Sequence, residues 1–280
     1  MKTKFLLSFT IISIILTSCK STSYFQVYNT TPSNSLDKKD KLLVYEDDNC
    51  ILSYNLWGEG GNIGFRFFNK TDKNIYLNLE QSFFILNGVS HNYYKNRVYT
   101  NSASSGSTRS KGASASKSVT GINLFDLLQT NKISASSSIG TLNSSGYSVS
   151  YKEEKIVCIP AKTSKIFSEY NINESLFRYC DLYKYPKSKQ VRSKSFAKSE
   201  SPLVFSNRIS YAVDLPENLI SVENEFYVSK ITNYPENEII ELKYEEFCGE
   251  KSLSKKEYFI GVSPDKFYIE YSKGKDSWDH

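Results

Sequence analysis

Histidine, methionine and tryptophan are nearly missing from this chain: its 280 residues include two His, one Met and two Trp. A site built from several imidazoles is therefore excluded. A Ser-His-Asp arrangement would have to rest on His91, since the other histidine is the C-terminal His280. Five cysteines occur, and no two form a Cys-x-x-Cys pair, which removes zinc-ribbon and thioredoxin-type readings. Gly58-Glu59-Gly60-Gly61 lacks the Lys-Ser/Thr ending of a phosphate loop, and no spaced Asp-x-Asp-x-Asp calcium loop is present. The longest apolar run, residues 5–16, is interrupted by Ser8, Thr10 and Ser13 and falls short of the roughly 20 residues that a membrane-crossing helix needs.

What the N-terminus does carry is a charged start with Lys2 and Lys4, that short apolar run, and a small-residue exit at Thr17-Ser18-Cys19. This is the layout of a secretory signal, which targets a chain and is then removed. The exit Leu16-Thr17-Ser18-Cys19 resembles the lipobox of bacterial lipoproteins, and the match covers the signal segment alone. The resemblance implies cleavage before Cys19, a diacylglycerol thioether on its sulfur and acylation of the new N-terminus. Several acyl chains, at about 0.8 kcal/mol per buried CH₂, would hold the chain on a lipid bilayer. No Asp follows Cys19 to retain the protein in the inner membrane, and no acidic cluster marks it for surface export, so the outer membrane is the expected address. Its periplasmic and surface faces both stay open. Later segments such as residues 226–235 resemble an uncharacterised lipoprotein family, which brings no activity with it.

Removal of residues 1–18 takes away Lys2 and Lys4 and no acid, leaving 33 basic against 30 acidic residues, a formal charge of +3. So small an excess points to no nucleic-acid partner. In an oxidising envelope, Cys50, Cys158, Cys180 and Cys248 could form two disulfides whose pairing the sequence leaves undetermined, with free thiols as the alternative. No cofactor is expected beyond the covalent lipid on Cys19.

Residues 19–41, polar and containing Pro32, read as a lipidated tether. From residue 42 onward, short runs of Val, Ile, Tyr and Phe alternate with Asn, Gly, Asp and Lys clusters, the texture of strands joined by turns. Ile63, Phe65 and Phe67 recur at period two, as do Ile75, Leu77 and Leu79, and Asn87-Gly88 is a strong hairpin signal. The expected fold is mainly β, an immunoglobulin-like antiparallel β-sandwich, possibly of two lobes, with one or two short helices. In this reading residues 42–183 form a β-sandwich lobe, 184–198 an exposed basic connection, and 199–280 further strands of the same sandwich or a second lobe. Residues 101–121 and 134–150 are so rich in Ser and Gly that mobile loops are expected. Apolar residues at helical spacing predict short helices over 123–130 and 172–183, the second capped by Asn173.

Candidate chemistry is thin. Glu46-Asp47-Asp48, Glu153-Glu154 and Glu245-Glu246 could supply paired carboxylates to a hydrolase, but Asp47-Asp48-Asn49 reads more simply as a hairpin turn. Aromatics are plentiful, with 21 Tyr and 17 Phe; Trp57, Tyr93, Tyr94 and Trp278 could contact a sugar or a partner, though Tyr is also a favoured strand residue. The expected function is a non-enzymatic binding or scaffolding module for an envelope protein or glycan. The alternatives are a carboxylate-dependent hydrolase acting on envelope or surface polysaccharide, and a surface glycan-binding protein.

Overall fold

A computed structural model describes residues 23–34, 36–104, 146–214 and 218–274. The signal segment, Cys19, Trp278 and the helix expected over 123–130 lie outside these residues.

The protein is mainly β, as expected, and every strand pair between named strands is antiparallel. The larger sheet runs in the order β10 (Ile156–Ile159), β6 (Ile75–Leu86), β13 (Val204–Val213), β14 (Ile220–Pro235), β1 (Ser23–Pro32) and β17 (Lys266–Ser272). Two short strands extend it, β7 (Val89–Asn92) on β6 and β12 (Ser193–Ser195) on β14. The smaller sheet runs β11 (Ser164–Phe167), β5 (Phe65–Asn69), β4 (Cys50–Tyr54), β3 (Leu42–Glu46) and β2 (Asp37–Lys39). Two ribbons stand apart as two-stranded sheets, β8 (Val98–Ser104) with β9 (Gly146–Lys152), and β15 (Ile240–Phe247) with β16 (Glu250–Phe259). A single turn of helix, α1 (Glu236–Ile239), links β14 to β15.

Period-two alternation decides which residues go inside. Along β5, Phe65, Phe67 and Asn69 are buried while Arg66 and Phe68 face outward. Along the first half of β6, Ile75, Leu77 and Leu79 point in. They meet Leu52 and Tyr54 from the small sheet and Ile209, Tyr211, Phe226 and Val228 from the large one in one hydrophobic cluster. Each such side chain contributes about 1.5 to 3 kcal/mol of transfer free energy on burial. Residues from both sides of the 184–198 connection share this cluster, so among the described residues β13, β14 and β17 pack in one core with the strands that precede the connection.

Four local expectations are corrected. The segment read as a tether supplies β1, whose Phe25, Val27 and Tyr28 are buried between β14 and β17. No helix forms over 172–183; the Phe177 backbone groups bond to β1, and the Ile172 and Asn173 N–H groups donate to the Gly60 carbonyl instead. Gln26, 1% exposed, donates from Nε2 to the Phe177 carbonyl at 2.9 Å and accepts the Phe177 N–H at 2.7 Å, while Asn173 folds its own carboxamide onto Ser175. The apolar spacing there serves an irregular strap, with Ile172 and Leu182 as its buried pins. The outer ends of the serine-rich stretches, residues 101–104 and 146–150, are strands rather than loops, paired across β8 and β9. The basic connection carries β12, which pairs with β14.

The glycine loop between β4 and β5 fits a narrow gap. Gly60 and Gly61 adopt φ of 73° and 72°. A Cβ on Gly61 would lie 2.7 Å from Phe267 Cγ and 2.8 Å from Ile172 Cδ1. Gly61→Ala therefore combines an unfavourable backbone with overpacking, and the expected loss is about 2 kcal/mol or more in a denaturation midpoint. Gly58→Ala, which meets nothing within 4 Å, is the control and should stay within about 0.5 kcal/mol of the parent.

Candidate functional site

A broad, open concavity lies at the foot of the β8–β9 ribbon. It encloses about 650 Å³ and is lined by Ser90, His91, Asn92, Tyr94, Lys95, Asn96 and Tyr170. Its floor is fixed from the core. Tyr93, 3% exposed, donates its hydroxyl to Asn207 Oδ1 at 2.7 Å, and Asn207 in turn donates to the Ile63 carbonyl at 2.8 Å. Phe84, on β6, stacks on both His91 and Tyr170, at 5.8 and 5.3 Å between ring centroids. The Tyr170 hydroxyl donates to the Asn92 carbonyl. Asn96 takes a left-handed turn with φ of 54° and receives a 2.8 Å hydrogen bond from Tyr94.

An ionic cluster locks the rim. Arg97 reaches Glu153 Oε1 through Nε at 3.1 Å and through Nη2 at 2.5 Å, and Glu169 through Nη1 at 2.7 Å. Lys95 sits 2.7 Å from Glu169 and 4.5 Å from the centroid of Tyr170. The Glu153 side chain is 7% exposed, and its Oε2 accepts the backbone N–H groups of Lys95 and Arg97 at 2.8 and 3.1 Å. Burial works to raise the Glu153 pKa, yet the guanidinium and the two N–H donors outweigh it and hold the carboxyl below its ordinary value of 4.5. These charges face one another, which suits a rigid binding surface better than proton transfer. The arrangement offers amide, hydroxyl, imidazole and aromatic groups to a ligand.

A second surface is the β15–β16 ribbon. Leu242 and Tyr244 share a face, Leu253 lies where the register shifts between Tyr244 and Glu246, and the three are 57%, 49% and 105% exposed. Phe247, beside the Cys248-Gly249 turn, is 82% exposed. The ribbon's root is buried by contrast, where Phe259 packs on Phe25, Trp57 and Tyr268.

Of the residues singled out in the sequence, His91, Tyr93, Tyr94 and Glu153 meet at the concavity, and the others go to separate places. Asp47 closes the β3–β4 hairpin: its Oδ1 accepts the N–H groups of Asn49 and Cys50 at 2.8 and 2.7 Å, and its Oδ2 accepts the hydroxyls of Tyr45 and Tyr211 at 3.2 Å each. Asp48 is exposed on the same turn. Trp57 belongs to the ribbon's root, and Glu245 is paired with Lys256. The disulfides allowed by four cysteines are not formed. Cys50 is buried under the β3–β4 hairpin, while Cys158 on the edge strand β10, Cys180 in the strap and Cys248 at the ribbon turn are exposed, all four as free thiols. Burial and the Asp47 carboxylate both push the Cys50 thiol up, which makes it a poor nucleophile. Sequence reasoning named Glu153 only as one of several acids and missed Lys95, Arg97, Glu169 and Tyr170. Arg97 and Glu169 lie 72 residues apart, and no local pattern signals their meeting.

No group of three His, Cys, Asp or Glu side chains suited to a metal ion occurs among the described residues, and no described helix is long and apolar enough to cross a membrane. No family model matches the chain, and neither a curated protein nor a solved structure matches it.

Two measurements check this description. In the native protein Cys158, Cys180 and Cys248 should react with a water-soluble maleimide and Cys50 only after unfolding, as read by peptide mass; protection of any of the three exposed thiols would point to a bridge. The Glu153 pKa is lower in the folded than in the unfolded chain, so its contribution is complete above the unfolded value and is lost as pH falls through the carboxylate range. Melting temperature should therefore drop between about pH 6 and pH 3, and Glu153→Gln should lower it at neutral pH while flattening that acid limb.

Proposed function

We propose that the protein is an envelope lipoprotein, held on the outer membrane by acylated Cys19, whose β-sandwich is a non-enzymatic binding module for another envelope protein. The observation that carries the reading is the β15–β16 ribbon. A two-stranded hairpin is marginally stable in water on its own, and this one exposes Leu242, Tyr244, Phe247 and Leu253 beyond its packed root. Exposed large apolar side chains gathered on one ribbon, interspersed with Lys243, Lys255 and Glu257, are the composition of a protein-contact surface. The Leu16-Thr17-Ser18-Cys19 exit supports the anchor. The ionic pairing around Glu153 and the turn role of Asp47 favour a binding surface over a hydrolytic one.

The test is crosslinking in intact cells followed by purification, with the mass of the mature N-terminus measured on the same sample. Wild type should carry acyl groups on Cys19 and recover a stoichiometric envelope protein. The variant Leu253→Glu with Tyr244→Ser should fold normally and recover about ten-fold less of that protein, as expected when exposed hot-spot side chains are removed. Equal recovery by the variant would rule out the ribbon as the contact surface, and an unmodified Cys19 would rule out the anchor.

A further inference from the structure

Lysines and tyrosines gather where β1 begins. Ser23 pairs with Ser272, and Tyr24 lies between Tyr271 of β17 and Pro235 of β14. The Tyr24 ring meets Tyr185 edge-on at 5.1 Å and stacks on Tyr271 at 5.8 Å, and the Tyr271 hydroxyl donates to the Lys184 carbonyl. The ammonium groups of Lys184 and Lys273 stand 5.1 and 5.2 Å from the Tyr185 centroid. Asn237 of α1 donates to Ser188 at 3.1 Å, which brings the exposed Lys187 and Lys189 to the same end of the sheet. Carboxylates are present too: Glu270 accepts the Ser23 hydroxyl at 2.8 Å, and α1 carries Glu236 and Glu238. The edge is therefore only slightly cationic, and its pairing of lysine with tyrosine is what sets it apart.

We infer that this edge, with Lys184, Lys187, Lys189 and Lys273 around the part-exposed Tyr24 and the buried Tyr185 that supports it, is the face on which the protein rests against its own bilayer, its lysines level with the lipid phosphates. The inference depends on the lipid-anchor reading above and adds an orientation to it. From Cys19 to Ser23 the chain takes four Cα steps of about 3.8 Å, so β1 starts within about 15 Å of the acylated residue. Lysine and tyrosine both settle in the headgroup layer, lysine on anionic phosphate and tyrosine at the apolar boundary. A tether this short keeps their local concentration against the membrane high, so contacts that are weak singly act together. The 16 residues of β14 then carry its far end at Ile220 up to about 50 Å from the anchored edge.

The test uses the acylated full-length chain, added from outside to vesicles of phosphatidylethanolamine and phosphatidylglycerol and treated with a membrane-impermeant amine reagent, with each lysine read by peptide mass. The same chain in neutral detergent is the reference, and Lys251 and Lys255 on the ribbon are internal controls. Lys187, Lys189 and Lys273 should label about five-fold more slowly in vesicles than in detergent, relative to the controls, as phosphate-paired ammonium groups would. Equal slowing at ribbon and edge, or none at the edge, overturns the orientation while leaving the anchor intact. An N-terminal mass without acyl groups, measured before labelling, overturns the anchor and the orientation with it.

Discussion

The large sheet depends on one strand. β1 hydrogen-bonds to β14 on one side and β17 on the other, and β17 has no other partner in that sheet. Phe25 and Val27 face the small cluster that seats the ribbon, while Tyr28 reaches the main core and stacks on Phe267 at 4.5 Å. Gln26 latches the strap over the sheet through Phe177 and also donates to Asn233 of β14 at 2.8 Å. The Tyr28 hydroxyl donates to Gln26, and burial pushes the phenol pKa up to about 12. Alternate residues of one short strand thus hold the sheet edge, the strap and the ribbon in place.

Polar residues between the sheets give the sandwich its register. Asn207 ties Tyr93 to the Ile63 carbonyl, and its neighbour across the ladder, Asn224, donates to the Tyr54 hydroxyl at 2.9 Å. Asn69 donates to the carbonyls of Lys73, Ile159 and Pro160 while its own oxygen accepts from Thr71. Among the described residues no buried side-chain nitrogen or oxygen lacks a partner. A shift of β13 or β14 by one residue would carry these carboxamides out of reach and leave buried dipoles unpaired, a cost of about 1 to 3 kcal/mol each. Phe and Tyr make the core large, and the asparagines make it specific.

Where a local rule decides conformation, the sequence could be read. Asn87 and Gly88 adopt the positive φ values their hairpin requires, at 47° and 81°, and Asp47 closes the turn its spacing implies. Alternation marked β5 and the first half of β6. It failed at β1, where Gln26, Asn29, Thr30 and Thr31 dilute the apolar signal because their groups bond within the fold. It failed over 172–183, where real apolar spacing serves a strap whose backbone is satisfied by Gln26. β16 carries no such signal, because Ser254, Lys255, Lys256 and Glu257 are all exposed and leave no periodicity to detect. The even cysteine count says nothing of direction, and Cys50 points inward while the others point out. The concavity beside Tyr170 was illegible because tertiary pairing alone brings Arg97, Glu153 and Glu169 together.

The pairing of Ser23 with Ser272 also sets an order of events. The first described strand to be synthesised has to wait for the last before its second edge is covered. Until then β1 keeps a bare edge, the condition in which strands join the wrong neighbour. Contacts this distant in sequence also slow the search for the native pairing. Its closure therefore comes late, once the C-terminal strands are in place.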